Sequence, residues 1–154
     1  MNTIHTLVIA CGNPLRGDDG VGPAAAEIVN SWQTPGVKVL SVHQFVPELI
    51  DEMKQVKRVL FIDADANTET SAFRTRVVEP KKSRRSFGHY ETPANLLAMV
   101  RDLEGRTPEA WLVSISAHSF DHGEALTEDT QHHLHAALVW IRAFLAETLC
   151  TKSV

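Results

Sequence analysis

Residues 6–29 read TLVIACGNPLRGDDGVGPAAAEIV, an apolar run followed by a glycine-rich turn and an alanine-rich segment. The apolar run, residues 6–10, predicts a buried first strand, and the alanine-rich segment predicts a helix. In an open α/β sheet, the turn that leaves the carboxyl end of a strand is where ligands bind. This turn carries four glycines and the adjacent acids Asp18 and Asp19. Glycine permits a sharp bend, and the two acids either cap the helix or bind a cation.

The same turn is unsuited to phosphate. The spacing Gly12-x4-Gly17 matches the first half of a P-loop, but Asp18 and Asp19 follow where lysine and serine or threonine are required. Their negative charges repel a polyphosphate. The glycine spacing also fails the G-x-G-x-x-G dinucleotide fingerprint, so the sequence argues against nucleotide binding.

The composition is that of one ordinary globular domain. The chain has 154 residues, 44% hydrophobic and 22% charged, so residues 1–154 are long enough for a single buried core. The formal net charge of −4 gives no electrostatic basis for binding nucleic acid or an anionic membrane. Residues 81–85 (KKSRR) are basic, and they form either a solvated loop or a contact for an acidic or carboxylate-bearing partner.

Cysteine usage and the lack of targeting signals predict a cytoplasmic protein. Cys11 and Cys150 form no C-x-x-C pair, which argues against a disulfide framework or a cysteine zinc site. Cys11 is expected to be a small buried residue at a strand end. No signal peptide is evident, and no run of about 18 apolar residues suggests a membrane span.

Strand and helix patterns alternate along the chain. They predict an α/β fold, a three-layer sandwich in which a mostly parallel, twisted sheet of about five strands has helices on both faces. The predicted strands are residues 6–10, 37–42, 58–62, 74–78 and 111–115. The predicted helices are residues 20–31, 47–53, 93–103 and 127–149, with a loop over residues 79–88. The third strand is almost wholly apolar and is expected in the centre of the sheet, whereas the fourth alternates as an edge strand does.

Polar side chains follow three of these strands: Asp18 and Asp19 after the first, Asp63 and Asp65 after the third, and residues 116–124 after the last. The carboxyl ends of parallel strands open onto one side of a sheet, so these groups are expected to meet in one crevice. His89, in the loop before the predicted helix 93–103, can close over the same edge. Two acids and an imidazole suit a divalent metal and leave positions open for water or a partner's ligand atom.

Each candidate also has a purely structural interpretation. Asp18 is the more natural helix-terminus group, and Asp19 can serve equally as one. Asp63 can start a turn, and His89 can be an ordinary exposed loop residue. A last group of histidines is expected to lie in a loop or on the surface and to bind nothing: His118, His122, His132, His133 and His135.

Several segments resemble the hydrogenase maturation proteases, endopeptidases that remove a C-terminal extension from the large subunit of [NiFe] hydrogenases after nickel insertion. Residues 12–22 (GNPLRGDDGVG) are similar to the family's most specific motif, G-N-x-L-x-x-D-D/E-x-x-G. Residues 43–49 (HQFVPEL) are similar to its second-strand segment, and residues 61–64 (FIDA) to its strand-then-Asp-Ala motif. Residues 88–97 resemble its histidine loop and helix, and residues 111–127 its closing strand and G-E-x-L-S/T turn. The resemblance covers nearly the whole chain.

The resemblance implies a partner and a set of site residues. Asp19, Asp63 and His89 would contact the metal, and Asp19 and Asp63 would be catalytic. The residues expected to bind the substrate are Gly12, Asn13, Asp18 and Gly20. The metal would be nickel supplied by the substrate, a [NiFe] hydrogenase large-subunit precursor, with Zn or Cd able to replace it in a crystal. No organic cofactor is implied, and the protein would be a monomer.

Two departures from the family pattern bear on the site. Ser86-Phe87-Gly88 precedes His89, where serine or threonine directly before the histidine is commoner, and Asp65 is a competing ligand beside Asp63. No serine or cysteine stands beside a paired base, which argues against an acyl-enzyme. Two other functions stay open at this point: a non-catalytic metal-sensing chaperone for the same precursor, and a divergent peptidase that acts on another protein.

Overall fold

The computed structural model describes residues 3–66, 71–81 and 91–150. Within them, one sheet contains β1 Thr6–Cys11, β2 Val37–Val42, β3 Arg58–Asp65, β4 Phe73–Val77 and β5 Glu109–Ser116. The α-helices are α1 Val21–Ser31, α2 Ile50–Met53, α3 Pro93–Glu104 and α4 Glu128–Cys150. Two short 3-10 helices, Gly17–Gly20 and Pro47–Leu49, precede α1 and α2.

The strand order is β2-β1-β3-β5-β4, and all strands are parallel except β4, which runs antiparallel to β5. This confirms the predicted α/β fold, with β3 in the centre of the sheet and β4 at an edge. The chain leaves β1 toward β2 on one side and continues with β3 on the other. A crevice therefore opens between the carboxyl ends of β1 and β3, the position at which open α/β sheets bind ligands.

Helices cover both faces of the sheet and complete the three layers. Successive residues of a strand face opposite sides, and all six residues of β1 are buried. Val8 and Leu60 pack with residues of α1 and α4, while Leu7 and Phe61 pack with residues of α2 and α3. Each fully buried side chain of this size contributes about 1.5–3 kcal/mol, so the two clusters hold the strand ends that carry the polar groups.

Local signals set the limits of α3. The Thr92 side chain accepts a hydrogen bond from Asn95 N–H at 3.1 Å, and Pro93 occupies the first turn, where its missing N–H has no cost. At the other end, Gly105 has φ +73°, and its N–H donates to Arg101 O at 2.8 Å. Glycine adopts this left-handed conformation most readily, so the helix ends at Glu104, one residue beyond the predicted end.

Two predicted elements differ from the structure, and a third lies partly outside the described residues. β3 continues to Asp65 instead of ending at residue 62, because residues 63–65 stay in register with β5. Asp63 is therefore a strand residue and does not start a turn. The predicted helix 47–53 consists of a 3-10 helix followed by α2. Of the predicted loop 79–88, residues 82–88 lie outside the described residues. In the part of the chain that the structure describes, no helix is long and apolar enough to cross a membrane.

Candidate active site

The ends of β1 and β3 place Cys11 and Asp63 side by side. The two strands pair as far as Ala10 opposite Ile62, so the next residue on each strand is Cys11 or Asp63. Neighbouring strands lie about 4.8 Å apart. Because side chains alternate along a strand, both residues face the side of the sheet covered by α2 and α3.

The glycine-rich turn, residues 12–20, brings Asp19 to the same place. Asn13 N–H donates to Asp19 Oδ2 at 2.7 Å, and the Asn13 side-chain oxygen accepts from Leu15 N–H at 2.9 Å. Gly12 has φ +153°, and a Cβ there would lie 2.0 Å from Asp19 O. The turn can fold back on Asp19 only because residue 12 is glycine.

Asp63 is a half-buried carboxyl group with a strongly shifted pKa. Burial raises the pKa of Asp63 from 3.8 to about 6, and the nearby charges of Asp19 and Asp65 act in the same direction. The Ala64 N–H, which donates to Asp63 Oδ1 at 2.8 Å, opposes this rise. Asp19 therefore lies close enough to Asp63 for the two charges to interact. A carboxyl group with such a pKa beside a second carboxyl group is typical of catalytic sites.

Cys11 borders this pair and is unsuited to nucleophilic attack. Burial, and then the charges of Asp63 and Asp19, raise the pKa of Cys11 to about 12. Its Sγ donates to His43 O at 3.5 Å. Only the thiolate is an effective nucleophile, and at neutral pH this group is a thiol. The expectation of a small buried residue at a strand end is confirmed.

Asp18, in contrast, faces away from the crevice. Its side chain is fully buried, and Oδ2 accepts hydrogen bonds from His118 N–H at 2.9 Å and Ser119 N–H at 3.0 Å. Thr127 N–H donates to Oδ1 at 2.8 Å, and the hydroxyls of Thr127 and Thr130 lie 2.9 and 2.8 Å from Oδ2. Burial alone would raise the pKa of Asp18, but these hydrogen bonds outweigh it and lower the pKa to about 2.

Asp18 therefore anchors the loop after β5 to the start of α4. It is a helix-terminus group, as one interpretation expected, but it serves α4 and not the following helix α1. Two backbone hydrogen bonds join the same loops, from Gly17 N–H to Gly123 O at 2.8 Å and from Asp18 N–H to Ser119 O at 2.7 Å. Because its carboxylate is enclosed by donors of this chain, the geometry does not favour the predicted substrate contact of Asp18.

The other predicted substrate-binding residues shape the turn. Gly12 and Gly20 are buried, and a Cβ on Gly20 would lie 3.1 Å from the Cα of Pro14. Asn13 is half-buried and hydrogen-bonds within the turn and to Asp19. Direct contact of these residues with a substrate stays a prediction.

The five histidines between residues 118 and 135 divide into two groups. Four of them are exposed as expected: His118, His122, His132 and His135. The prediction for His133 is wrong, because this residue is half-buried and its Nδ1 lies 2.9 Å from Ser116 O. Its ring packs edge to face against His118, with centroids 5.6 Å apart. The cause is the packing of α4 against the end of β5, which covers this side of the helix.

His89, the predicted third metal contact, lies within residues 82–90, outside the described residues. Among residues 3–66, 71–81 and 91–150, no group of three His, Cys, Asp or Glu side chains is arranged to hold a metal. Two residues after His89 in the sequence, Glu91 N–H donates to Phe45 O at 3.1 Å. Phe45 belongs to the apolar cluster that includes Cys11. The metal site of three residues stays a prediction.

The Asp63 carboxyl group can accept and return a proton. Asp63 is largely ionised at pH 7, yet its pKa of about 6 keeps the protonated form accessible, as general acid-base catalysis requires. Asp19, fixed by Asn13, adds a second oxygen donor at the crevice. Two carboxylates are few ligands for a free transition-metal ion, so an ion bound here would need further ligands from elsewhere.

Two features of this region were not found from the sequence. The position of Cys11 beside Asp63, whose charge helps to raise the pKa of Cys11, follows from strand register, which a comparison of the ends of β1 and β3 could have suggested. The cluster of Asp18, Thr127 and Thr130 joins residues more than 100 positions apart. No spacing in the sequence indicates this common partner of Thr127 and Thr130.

Comparison with known proteins supports the resemblance at the level of the fold. No protein-family model matches the chain, and no curated protein matches it. Solved structures do match, among them the [NiFe] hydrogenase maturation protease HybD from Thermococcus kodakarensis, with 23% identity and a TM-score of 0.73 over 92% of this chain and 99% of that one. The hydrogenase maturating endopeptidase HybD from E. coli matches with 20% identity and a TM-score of 0.73 over 94% of both chains. HycI from Thermococcus kodakarensis KOD1, a [NiFe] hydrogenase maturation protease, matches with 19% identity and a TM-score of 0.70 over 92% of both chains. The chain has the fold of the [NiFe] hydrogenase maturation proteases over nearly its whole length.

Proposed function

We propose that this protein is an endopeptidase that removes the C-terminal extension from a [NiFe] hydrogenase large-subunit precursor. The observation that carries the proposal is the placement of Asp19 and Asp63 together at the crevice between β1 and β3, where the pKa of Asp63 is about 6. The matching folds of HybD and HycI, which are named as hydrogenase maturation proteases, support the same activity. Cytoplasmic action is part of the proposal.

We assign both proton transfers of peptide hydrolysis, from the attacking water and to the departing amine, to Asp63. Its Oδ1 is engaged by the Ala64 N–H, so Oδ2 is the oxygen that takes a proton from the attacking water. The water oxygen then bonds to the carbonyl carbon of the scissile peptide. As the carbon–nitrogen bond breaks, the protonated Asp63 returns its proton to the departing amine. A carboxyl group with a pKa near the working pH is suited to both steps. Cys11 takes no part, because its thiol stays protonated.

Nickel belongs to the substrate in this proposal. Asp19, Asp63 and His89 would contact an ion that the precursor already binds, and the ion would thereby align the scissile peptide with the site. Two carboxylates and one imidazole bind a free ion weakly, so precursors without nickel would not be positioned. Positioning of this kind can offset about 7–11 kcal/mol of a reaction barrier, which gives nickel recognition a large effect on the rate.

The test is the mass of a candidate large-subunit precursor after incubation with this protein. We expect wild type to shorten the nickel-loaded precursor and to leave the nickel-free precursor intact. The double variant Asp19→Ala, Asp63→Ala should shorten neither. Stable binding of the precursor with no loss of mass would instead favour a non-catalytic metal-sensing chaperone. Equal cleavage of both precursors would show that nickel is not recognised, and undiminished cleavage by the double variant would exclude the proposed site.

A further inference from the structure

β4 presents a hydrogen-bonding edge that no strand in the described part of the chain covers. It is the last strand in the sheet order, and its ladder with β5 is flanked by hydrogen bonds from Ser116 N–H to Ala72 O at 3.0 Å and from Val78 N–H to Ala110 O at 2.9 Å. Antiparallel partners alternate between bonded and non-bonded pairs. The backbone groups that point away from β5 are therefore those of Phe73, Thr75 and Val77.

The charged side chains of β4 are both arginines. Arg74 and Arg76 are both exposed and, being two residues apart, lie on the same face of the strand about 7 Å from each other. Lys81, also exposed, follows a few residues later. An extended peptide with acidic side chains at alternate positions would match this spacing. Charged side chains on an edge strand also deter self-association.

β4 also links the candidate active site to a cavity. Because β4 is antiparallel to β5, Phe73 lies opposite Ile115 near the carboxyl edge of the sheet, whereas Val77 lies opposite Trp111 near the other edge. A cavity of about 370 Å³ lies at this second end, lined by Val77, Glu79, Pro80, Pro108, Glu109 and Trp111 among others. A peptide that follows β4 away from the site would reach this cavity with a side chain that is not acidic, because Glu79 and Glu109 line the cavity.

We infer that an acidic, extended segment of the hydrogenase precursor binds by adding a strand to the outer edge of β4, the edge that faces away from β5. The inference rests on the proposed function. Backbone hydrogen bonds to the outward groups of β4 would supply affinity, and Arg74 and Arg76 would select acidic side chains. Three strand spacings of about 4.8 Å place the added strand about 14 Å from β3. At about 3.4 Å per residue, roughly four residues separate the bound segment from the scissile peptide.

Steady-state cleavage of the nickel-loaded precursor tests the inference. The variant Arg74→Glu, Arg76→Glu should raise KM about tenfold with little change in kcat, because the charges select the bound segment and do not act at the reacting atoms. A matched control, Lys38→Glu, Arg142→Glu, makes the same change in charge with two exposed cations away from β4, one on the opposite edge strand β2 and one on α4 beside Trp32. It should leave KM within about twofold of wild type.

A backbone variant provides an independent test. Thr75→Pro removes one outward N–H from β4 and leaves the ladder with β5 intact, as edge strands permit. We expect it to raise KM, whereas Thr75→Ala, which keeps the N–H, should not. Circular dichroism and thermal unfolding establish that each variant is folded. An unchanged KM in the charge variant overturns the inference, and so does an equal rise in the control. Self-association of the charge variant with an unchanged KM would show that the arginines only protect the edge.

Failure of the proposed function gives a different result. If wild type cleaves no precursor, titration of the same precursor with wild type and with the charge variant still measures binding at β4. Weaker binding of the precursor by the charge variant than by wild type would then support strand addition without proteolysis. Equal binding by the two proteins would overturn the inference.

Discussion

Replacement of Asp63 by asparagine should make the protein more stable and less active. The ionised Asp63 is unfavourable in the folded state, because burial and the charges of Asp19 and Asp65 raise its pKa from 3.8 to about 6. The folded state therefore binds this proton more tightly than the unfolded state does, and stability falls as the pH rises between these two values. Asparagine carries no charge, and its Oδ1 can still accept the Ala64 N–H.

The expected size of the effect follows from the pKa shift. A shift of about two units corresponds to about 3 kcal/mol, since one unit corresponds to about 1.4 kcal/mol. At pH 8, where Asp63 is ionised in both states, Asp63→Asn should raise the free energy of unfolding by about 3 kcal/mol. At pH 4.5, where the folded state retains most of the proton, the gain should fall to about 1 kcal/mol.

Urea unfolding of wild type and Asp63→Asn at the two pH values measures this difference. The control Asp121→Asn changes an exposed loop carboxylate and should alter stability by less than about 0.5 kcal/mol at either pH. An equal gain at pH 4.5 and pH 8 would refute the reasoning, because it would show that the charge of Asp63 is not the destabilising feature. We also expect Asp63→Asn to lose cleavage activity, since stability is often sacrificed where a catalytic charge is buried.

Three further predictions concern the glycine-rich turn, its anchor Asp18 and the neighbouring Cys11. Asp18→Asn should lower the free energy of unfolding by about 3 kcal/mol at pH 7, because the hydrogen bonds that lower the pKa of Asp18 to about 2 stabilise its ionised form in the folded state above pH 4. Urea titrations should show this loss fading as the pH approaches 2. Gly12→Ala should abolish cleavage, because its Cβ would lie 2.0 Å from Asp19 O. Gly105→Ala, at a positive φ with nothing within 4 Å, should cost only about 1 kcal/mol and keep activity, so equal losses in the two glycine variants would contradict the assigned role of the turn. Alkylation of Cys11 at pH 8, followed by mass spectrometry, should be slow in the folded protein and fast in urea, and rapid labelling of the folded state would contradict a pKa of about 12.

The alternation of strand and helix patterns was sufficient to predict the layers of the fold. The sequence predicts β2 with its observed bounds, Val37–Val42, because its β-branched residues lie between clear turn signals. The predicted β3 is too short, since Asp63 and Asp65 look like loop residues when they are read without their partner strand. Pairing with β5 keeps them in the sheet. Tertiary context of this kind is not contained in a local pattern.

The candidate site was predictable only where strand ends determine it. Asp63 and Asp19 meet because β1 and β3 are adjacent and parallel. The sequence pattern indicates the parallel arrangement but not which strands are neighbours. Asp18 and Asp19 have the same residue type and neighbouring positions, yet one is enclosed by donors from α4 and its loop while the other reaches the crevice. The sequence could not distinguish these two outcomes, because the donors to Asp18 lie about 100 residues away.

The mass of a nickel-loaded precursor, measured after incubation with wild type and three single variants, tests the roles of Asp19 and Asp63 most directly. Asp19→Asn and Asp63→Asn should leave the C-terminal extension in place. Asp65→Asn changes the next carboxyl group on β3 and should remove the extension as wild type does. Removal of the extension by either of the first two variants at the wild-type rate would contradict the assignment of peptide hydrolysis to this pair of carboxyl groups.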